Sequence, residues 1–136
     1  MTLAKDAALA KSVSTAPDAR DPKLRGRTFA IPFNQVWESA REVVGGLRRW
    51  RLLEEDDYEG VLRAEATTLI RRRIDDITIR IALDEDAQTR VDMTSTRRTG
   101  YVSLGRNARR IRRFFRKLDR ALETARSQRG STARTP

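Results

Sequence analysis

Between Arg106 and Arg120 the chain places eight basic side chains: Arg106, Arg109, Arg110, Arg112, Arg113, Arg116, Lys117 and Arg120. On a helix they share the broad face opposite its apolar residues, where like charges repel by roughly 0.2–0.5 kcal/mol per neighbouring pair. The chemistry such a face offers is anion binding, because guanidinium forks match carboxylate and phosphate oxygens two at a time. The competing reading is a solvated face with no partner. Charge balance favours docking. From Arg90 onward fourteen basic residues stand against Asp92, Asp119 and Glu123, a net charge of +11, while the first 89 residues sum to −1.

A second polar set is Asp75-Asp76, Arg80 and Arg97-Arg98. Strand alternation puts Asp76 and Arg80 on one face with Asp92 and Arg98. Two registers are open, one setting Arg80 opposite Asp92 and the other Asp76 opposite Arg98. Both predict cross-strand ion pairs on an open sheet face rather than a ligand site. Glu54-Glu55-Asp56-Asp57 does not have the spacing of a calcium loop and reads as an acidic turn. The chain has no histidine and no cysteine. The commonest general base, the commonest transition-metal ligand and every thiolate site are therefore excluded. No catalytic residue, metal or cofactor is expected, and hydroxyl nucleophiles have no imidazole to activate them.

These side chains must be positioned by a chain of 136 residues, a length that suits one domain. Hydrophobic content is 38%, below the roughly 45% or more of a compact domain, which predicts that part of the length is tail. Residues 1–24 read as a flexible tail, Ala-rich over 2–11 and broken by Pro17 and Pro22. Residues 25–128 read as a single domain and residues 129–136 as a disordered C-terminal tail. No stretch approaches the roughly 18 apolar residues of a membrane span. The N-terminus has no long apolar segment, so a cytoplasmic protein is expected.

Within the domain, Arg27–Ile31 reads as a short strand. Phe33, Val36, Trp37, Ala40, Val43, Val44, Leu47 and Trp50 follow helical spacing, with Pro32 and Asn34 as start signals and Gly45-Gly46 as the stop. Four strands follow at about 50–55, 61–68, 74–83 and 89–98, with Ile77, Ile79, Ile81 and Leu83 on the same face as Val91, Met93 and Ser95. A long helix over about 104–127 carries the apolar stripe Leu104, Ala108, Ile111, Phe115, Leu118, Leu122 and Ala125, widened by Phe114 and Ala121. Ser103 is its expected N-cap. The order β-α-β-β-β-β-α predicts an α+β fold, an antiparallel sheet with two helices on one face. It resembles the TATA-binding-protein-like class and, more loosely, the helix-grip lipid-transfer proteins.

Three segments carry a further resemblance: Arg73–Ile81, Ser95-Thr96-Arg97-Arg98-Thr99-Gly100, and Leu104–Ile111 with Gly105-Asn107 and the basic pair Arg109-Arg110. With them, residues 27–122 resemble the uncharacterised family known as domain of unknown function 1499, found in bacteria and plastid-bearing organisms. The resemblance adds Asn107 to the polar cluster of Asp76, Arg80, Asp92 and Arg98. It departs from the family at Arg97, where serine is usual, and at Ser103, where aspartate is usual. The family implies no activity. Its presence in photosynthetic lineages implies a photosynthetic membrane complex as one setting.

The expected function is a non-catalytic accessory subunit that docks its arginine face on an acidic protein surface or on anionic membrane headgroups of a larger assembly. A non-specific nucleic-acid-binding protein is the first alternative. Against it, Trp37 and Trp50 are placed in the core by spacing, and only Tyr58 and Tyr101 lie in turns, which leaves no stacking platform. A small-ligand carrier using the sheet–helix cleft is the second.

Overall fold

The computed structural model describes Leu9, Ala10 and residues 12–98 and 102–133, without the side chains of 9, 10, 102–104 and 130–133. Helix α1 (Phe33–Gly46) and helix α2 (Leu104–Ala133) pack with strands β3 (Arg27–Phe29), β4 (Trp50–Asp56), β5 (Val61–Thr67), β6 (Ile74–Leu83) and β7 (Thr89–Arg97). Three further strands are very short: β1 (Leu9–Ala10), β2 (Ser12–Ser14) and β8 (Val102–Ser103). The fold is α+β, as the periodicity predicts, with β4, β5, β6 and β7 antiparallel in sequence order. Helix α1 starts directly after Pro32 and stops at Gly45-Gly46.

One edge of the sheet is shared. Strand β3 pairs with the first part of β7 (Arg27 opposite Val91), and β2 pairs with its second part (Val13 opposite Ser95). The expected tail over residues 1–24 is therefore corrected where it is described. Val13 is buried, Leu24 packs against the core, and the Thr15 amide donates to the Met93 carbonyl at 2.9 Å. Asp21 caps a 3-10 turn at Pro22–Leu24 and pairs with Arg112 of α2 at 3.3 Å. The physical reason is that β7 is hydrophobic on its covered face and would otherwise leave its outer backbone groups unpaired along half its length. Leu9–Ala10 extends as a strand opposite β8. Residues 1–8 lie outside the described residues, as does Tyr101. The expected disorder from Arg129 is corrected as well, since α2 continues to Ala133.

The core lies between the sheet and both helices. Leu62, Ala64 and Ala66 of β5, Ile77, Ile79 and Ile81 of β6, and Val91 and Met93 of β7 meet Val36, Trp37, Ala40 and Val44 of α1. Ile111, Phe114, Phe115, Leu118 and Leu122 of α2 join the same cluster. Leu83, expected on this face, is exposed at the end of β6. The hairpin from β4 to β5 closes tightly at Gly60. A Cβ there would sit 2.0 Å from the Ile81 carbonyl oxygen, and its φ of +72° favours glycine.

The docked N-terminal strand predicts a measurable result. The Thr15 amide should exchange slowly in the folded protein, and Val13→Asp should destabilise it by about 2 kcal/mol or more, because a charge would enter the core margin. A freely exchanging Thr15 and a neutral Val13→Asp would mean that the segment is not docked.

An arginine cleft over a buried ion cluster

Beyond Ile77 and Met93 the covered face of the sheet changes character. The inward positions next in line are Asp75 on β6 and Ser95 and Arg97 on β7, with Asp75 directly opposite Arg97. Asp75 is 0% and Arg97 2% exposed. Arg97 Nε donates to Asp75 Oδ1 at 2.5 Å, and Arg110 of α2 donates to the other carboxylate oxygen. Arg110 Nη1 also reaches Ser95 Oγ and Asn107 Oδ1, each at 3.1 Å, and Ser95 Oγ donates to Asn107 Oδ1 at 2.9 Å. One carboxylate thus serves two guanidinium groups, and the cluster keeps a net positive charge in a water-poor place. Two donors inside it, Arg97 Nη2 and Asn107 Nδ2, have no acceptor among the described residues. Excess charge and unsatisfied donors there raise the positive potential around Arg110.

Arg110 belongs to two environments. Its outer side joins Arg48, Arg49, Arg106, Arg109 and Arg113 around a cleft of about 350 Å³. The cleft lies between the segment joining α1 to β4, the loop from β5 to β6, and the first turns of α2. Leu47, Trp50, Ala66 and Phe114 supply apolar walls, and Trp50 stacks on Phe114 with ring centroids 6.5 Å apart. No carboxylate lines it among the described residues. Arg48, Arg49, Arg109 and Arg113 form no ion pair among the described residues. Arg49 turns the chain into β4 with φ at 62°. The cleft combines multiple N–H donors, an uncompensated positive field and an apolar floor. Its volume falls in the range of about 300–1,000 Å³ that holds small ligands.

The eight basic residues expected on one docking face are divided by the structure. Arg106, Arg109, Arg110 and Arg113 line the cleft. Arg112 pairs with Asp21. Arg120 lines a separate groove between the helices, with Glu38 and Glu42 on its other wall. Arg116 is exposed and Lys117 half-buried. The residues share a side of α2, but the surrounding loops give them different partners.

The polar cluster expected on the open sheet face is likewise split. Asp76 and Arg98 do meet there at 2.5 Å, and Arg98 also holds Glu65 at 2.9 Å. The Arg98 hydrogen bond, together with the charges of Arg51 and Arg98, holds the Glu65 carboxyl below the ordinary glutamate range although desolvation opposes it. Asp76 and Glu65 in turn raise the Arg98 pKa. The register sets Arg80 opposite Asp92, yet the two form no ion pair. The Asp92 carboxylate is taken instead by Arg90, two residues along its own strand, at 2.9 Å and by the Thr15 hydroxyl at 2.7 Å. This corrects the cross-strand pair expected for Arg80 and Asp92, because the docked N-terminal segment competes for the carboxylate. Asn107 is not with these residues at all. It lies on the covered side in the Asp75 cluster.

Sequence reasoning missed Asp75, Ser95 and Arg97 as a cluster, though the signal was present. Continuing the alternation of Ile81, Ile79 and Ile77 by two residues puts Asp75 inside, and continuing Val91, Met93 and Ser95 puts Arg97 inside. Arg48, Arg49 and the loop at Leu69-Ile70 carried no comparable signal, since nothing local places them beside α2. The side chain of Ser103, the expected cap, lies outside the described residues. Among those residues no helix is long and apolar enough to cross a membrane.

No curated protein matches the chain. The resemblance seen in the β6, β7 and α2 segments extends further than those segments. Residues 2–118, from the N-terminal strands through the cleft arginines to Leu118 of α2, match the family described as "Protein of unknown function (DUF1499)", and the chain belongs to that family.

Proposed function

We propose that the protein is a non-catalytic binding module that docks on an anionic surface of a larger assembly through the arginines of the α2 cleft. One observation carries this reading: six arginines converge on one apolar-floored cleft with no carboxylate on its walls among the described residues. Elsewhere several surface arginines are paired with acids, as Arg63 is with Glu54 at 2.9 Å and Arg27 with Asp119 at 3.0 Å. Four of the six, Arg48, Arg49, Arg109 and Arg113, form no ion pair among the described residues; holding them together costs self-repulsion, and attraction to an anionic partner offsets that cost. An acidic protein surface and anionic headgroups both meet the requirement. The small-ligand carrier is the second reading, supported by the cleft volume of about 350 Å³. The fold belongs, in this reading, to the TATA-binding-protein-like class, because β3 lies beside β7 at one edge and β4 forms the other.

Reversal of Arg109 and Arg113 to glutamate tests the proposal. Each basic residue near an anionic surface contributes about 1 kcal/mol, so the double reversal should weaken association by roughly thirtyfold or more at low salt. Unfolding free energy should change by less than about 1 kcal/mol, because both side chains are exposed. Association by the unaltered protein should fall steeply as salt rises. Nuclease digestion separates the partners. An association that survives it supports docking on protein or lipid, and one that vanishes moves the assignment to nucleic acid. Intact association after charge reversal would overturn the reading.

A further inference from the structure

Next to the cleft is the loop from β5 to β6, whose apolar residues face away from the core. Leu69 and Ile70 are 72% and 77% exposed, side by side, and both also line the cleft. Single exposed leucines need no explanation, but adjacent large aliphatics at a loop tip beside a field of arginines do. The loop is held in place. The Thr68 amide donates to the Arg73 carbonyl at 2.8 Å, the Arg73 amide donates to Thr68 Oγ1 at 2.9 Å, and Thr68 Oγ1 donates to the Ile70 carbonyl at 2.8 Å. Arg71 and Arg72 adopt left-handed backbone angles, φ 67° and 47°, and complete the turn. The sequence Leu69-Ile70-Arg71-Arg72-Arg73 therefore presents an apolar tip followed by three cations.

We infer that this loop and the cleft together seat the protein on an anionic phospholipid bilayer, with Leu69 and Ile70 entering the acyl boundary and the cleft arginines taking headgroup phosphates. The inference rests on the docking reading above and names its surface. An acidic protein would satisfy the arginines but gives no account of two aliphatic side chains standing in water beside them. A bilayer accounts for both, since its anionic phosphates lie directly above its hydrocarbon, and Arg48, Arg49, Arg109 and Arg113 line the cleft with the aliphatic pair while Arg71 to Arg73 follow it in the chain. Arginine also suits phosphate, which it can hold with two parallel N–H bonds.

Co-sedimentation with vesicles of phosphatidylcholine alone and of phosphatidylcholine with phosphatidylglycerol tests it. The protein should bind the anionic vesicles and not the neutral ones. The double variant Leu69→Ser/Ile70→Ser, which keeps every charge, should lose roughly tenfold or more of that affinity, because the buried aliphatic area is gone. Arg109→Gln/Arg113→Gln should abolish the preference for the anionic lipid, with circular dichroism showing both variants folded. Serine variants that bind like the parent would overturn insertion and leave docking standing. Displacement from vesicles by millimolar glycerol phosphate would assign the cleft to a soluble phosphate and overturn the bilayer. A protein that ignores anionic vesicles at low salt but is retained on polyglutamate would overturn the lipid surface alone. Retention on neither would overturn this inference and the docking reading together.

Discussion

Asp75→Ala should lower the unfolding free energy by about 3–5 kcal/mol, because it removes the carboxylate that pairs with buried Arg97 and half-buried Arg110. Arg110 reaches the cleft and can turn its charge toward water. Arg97 is 2% exposed and cannot. Its guanidinium already has one unsatisfied nitrogen, and losing the bond to Asp75 Oδ1 leaves it charged without a counter-ion. A denaturant titration should show a lower midpoint at unchanged slope. The pair itself is not expected to be a large net stabiliser, since desolvating both ions consumes much of what their attraction returns. The double change Asp75→Leu/Arg97→Met should accordingly recover most of the loss. If Asp75→Ala stays within about 1 kcal/mol of the parent, Arg97 reaches water by a route the structure does not show.

Phe115→Ala should be of similar size, about 3–5 kcal/mol, for an unrelated reason. Phe115 is fully enclosed, lies edge-on to Phe114 at 5.3 Å, and carries Arg27 over its ring at 5.7 Å. The cavity left behind would sit where α2, α1 and the sheet converge, among side chains fixed by both helices and unable to close it. A melting temperature lower by roughly 10–20 °C is expected for a domain of this size. The cation over the ring also holds Asp119 at 3.0 Å, so β3 would loosen from α2 at the same time. Burial lifts the Asp119 carboxyl above its ordinary range, with Arg27 opposing that rise. A raised acid binds its proton more readily when folded, so its contribution to stability is greatest at low pH and declines as pH rises through the folded value. A fall of under about 1 kcal/mol for Phe115→Ala would place Phe115 outside the core.

The two variants report on different ends of one interface. Phe115 holds the apolar middle of α2 against the sheet, and Asp75 anchors its N-terminal part through Arg110. The second anchor matters for the cleft. A helix carrying six cations near its start would otherwise be driven outward by their repulsion, and the buried carboxylate supplies an opposing attraction that water does not screen. The cleft arginines are thus held at the surface by an ion cluster beneath them.

The sequence by itself determined both helices, the strands β3 to β7 and the layer arrangement. Two-residue alternation in β5 to β7 and the 3.6-residue stripe on α2 are set by backbone geometry, so they survive without knowledge of neighbours. The same periodicity marked Trp37, Ile79 and Phe115 for the core, where all three are found. It also gave the Asp76–Arg98 contact, because both residues lie on the polar parity of adjacent strands. Tertiary structure alone decided the rest. Pairing of β2 with β7 depends on an edge left vacant beyond β3, and no local pattern in Ser12-Val13-Ser14 announces it. Whether Arg80 or Arg90 holds Asp92 depends on which segment reaches the carboxylate first, and Thr15 arrives from a distant part of the chain. The cleft is the clearest case. Its arginines come from the segment after α1 and the start of α2, and its apolar lip from the β5–β6 loop. They share one site only because the antiparallel sheet returns that loop to the end where both helices leave the core.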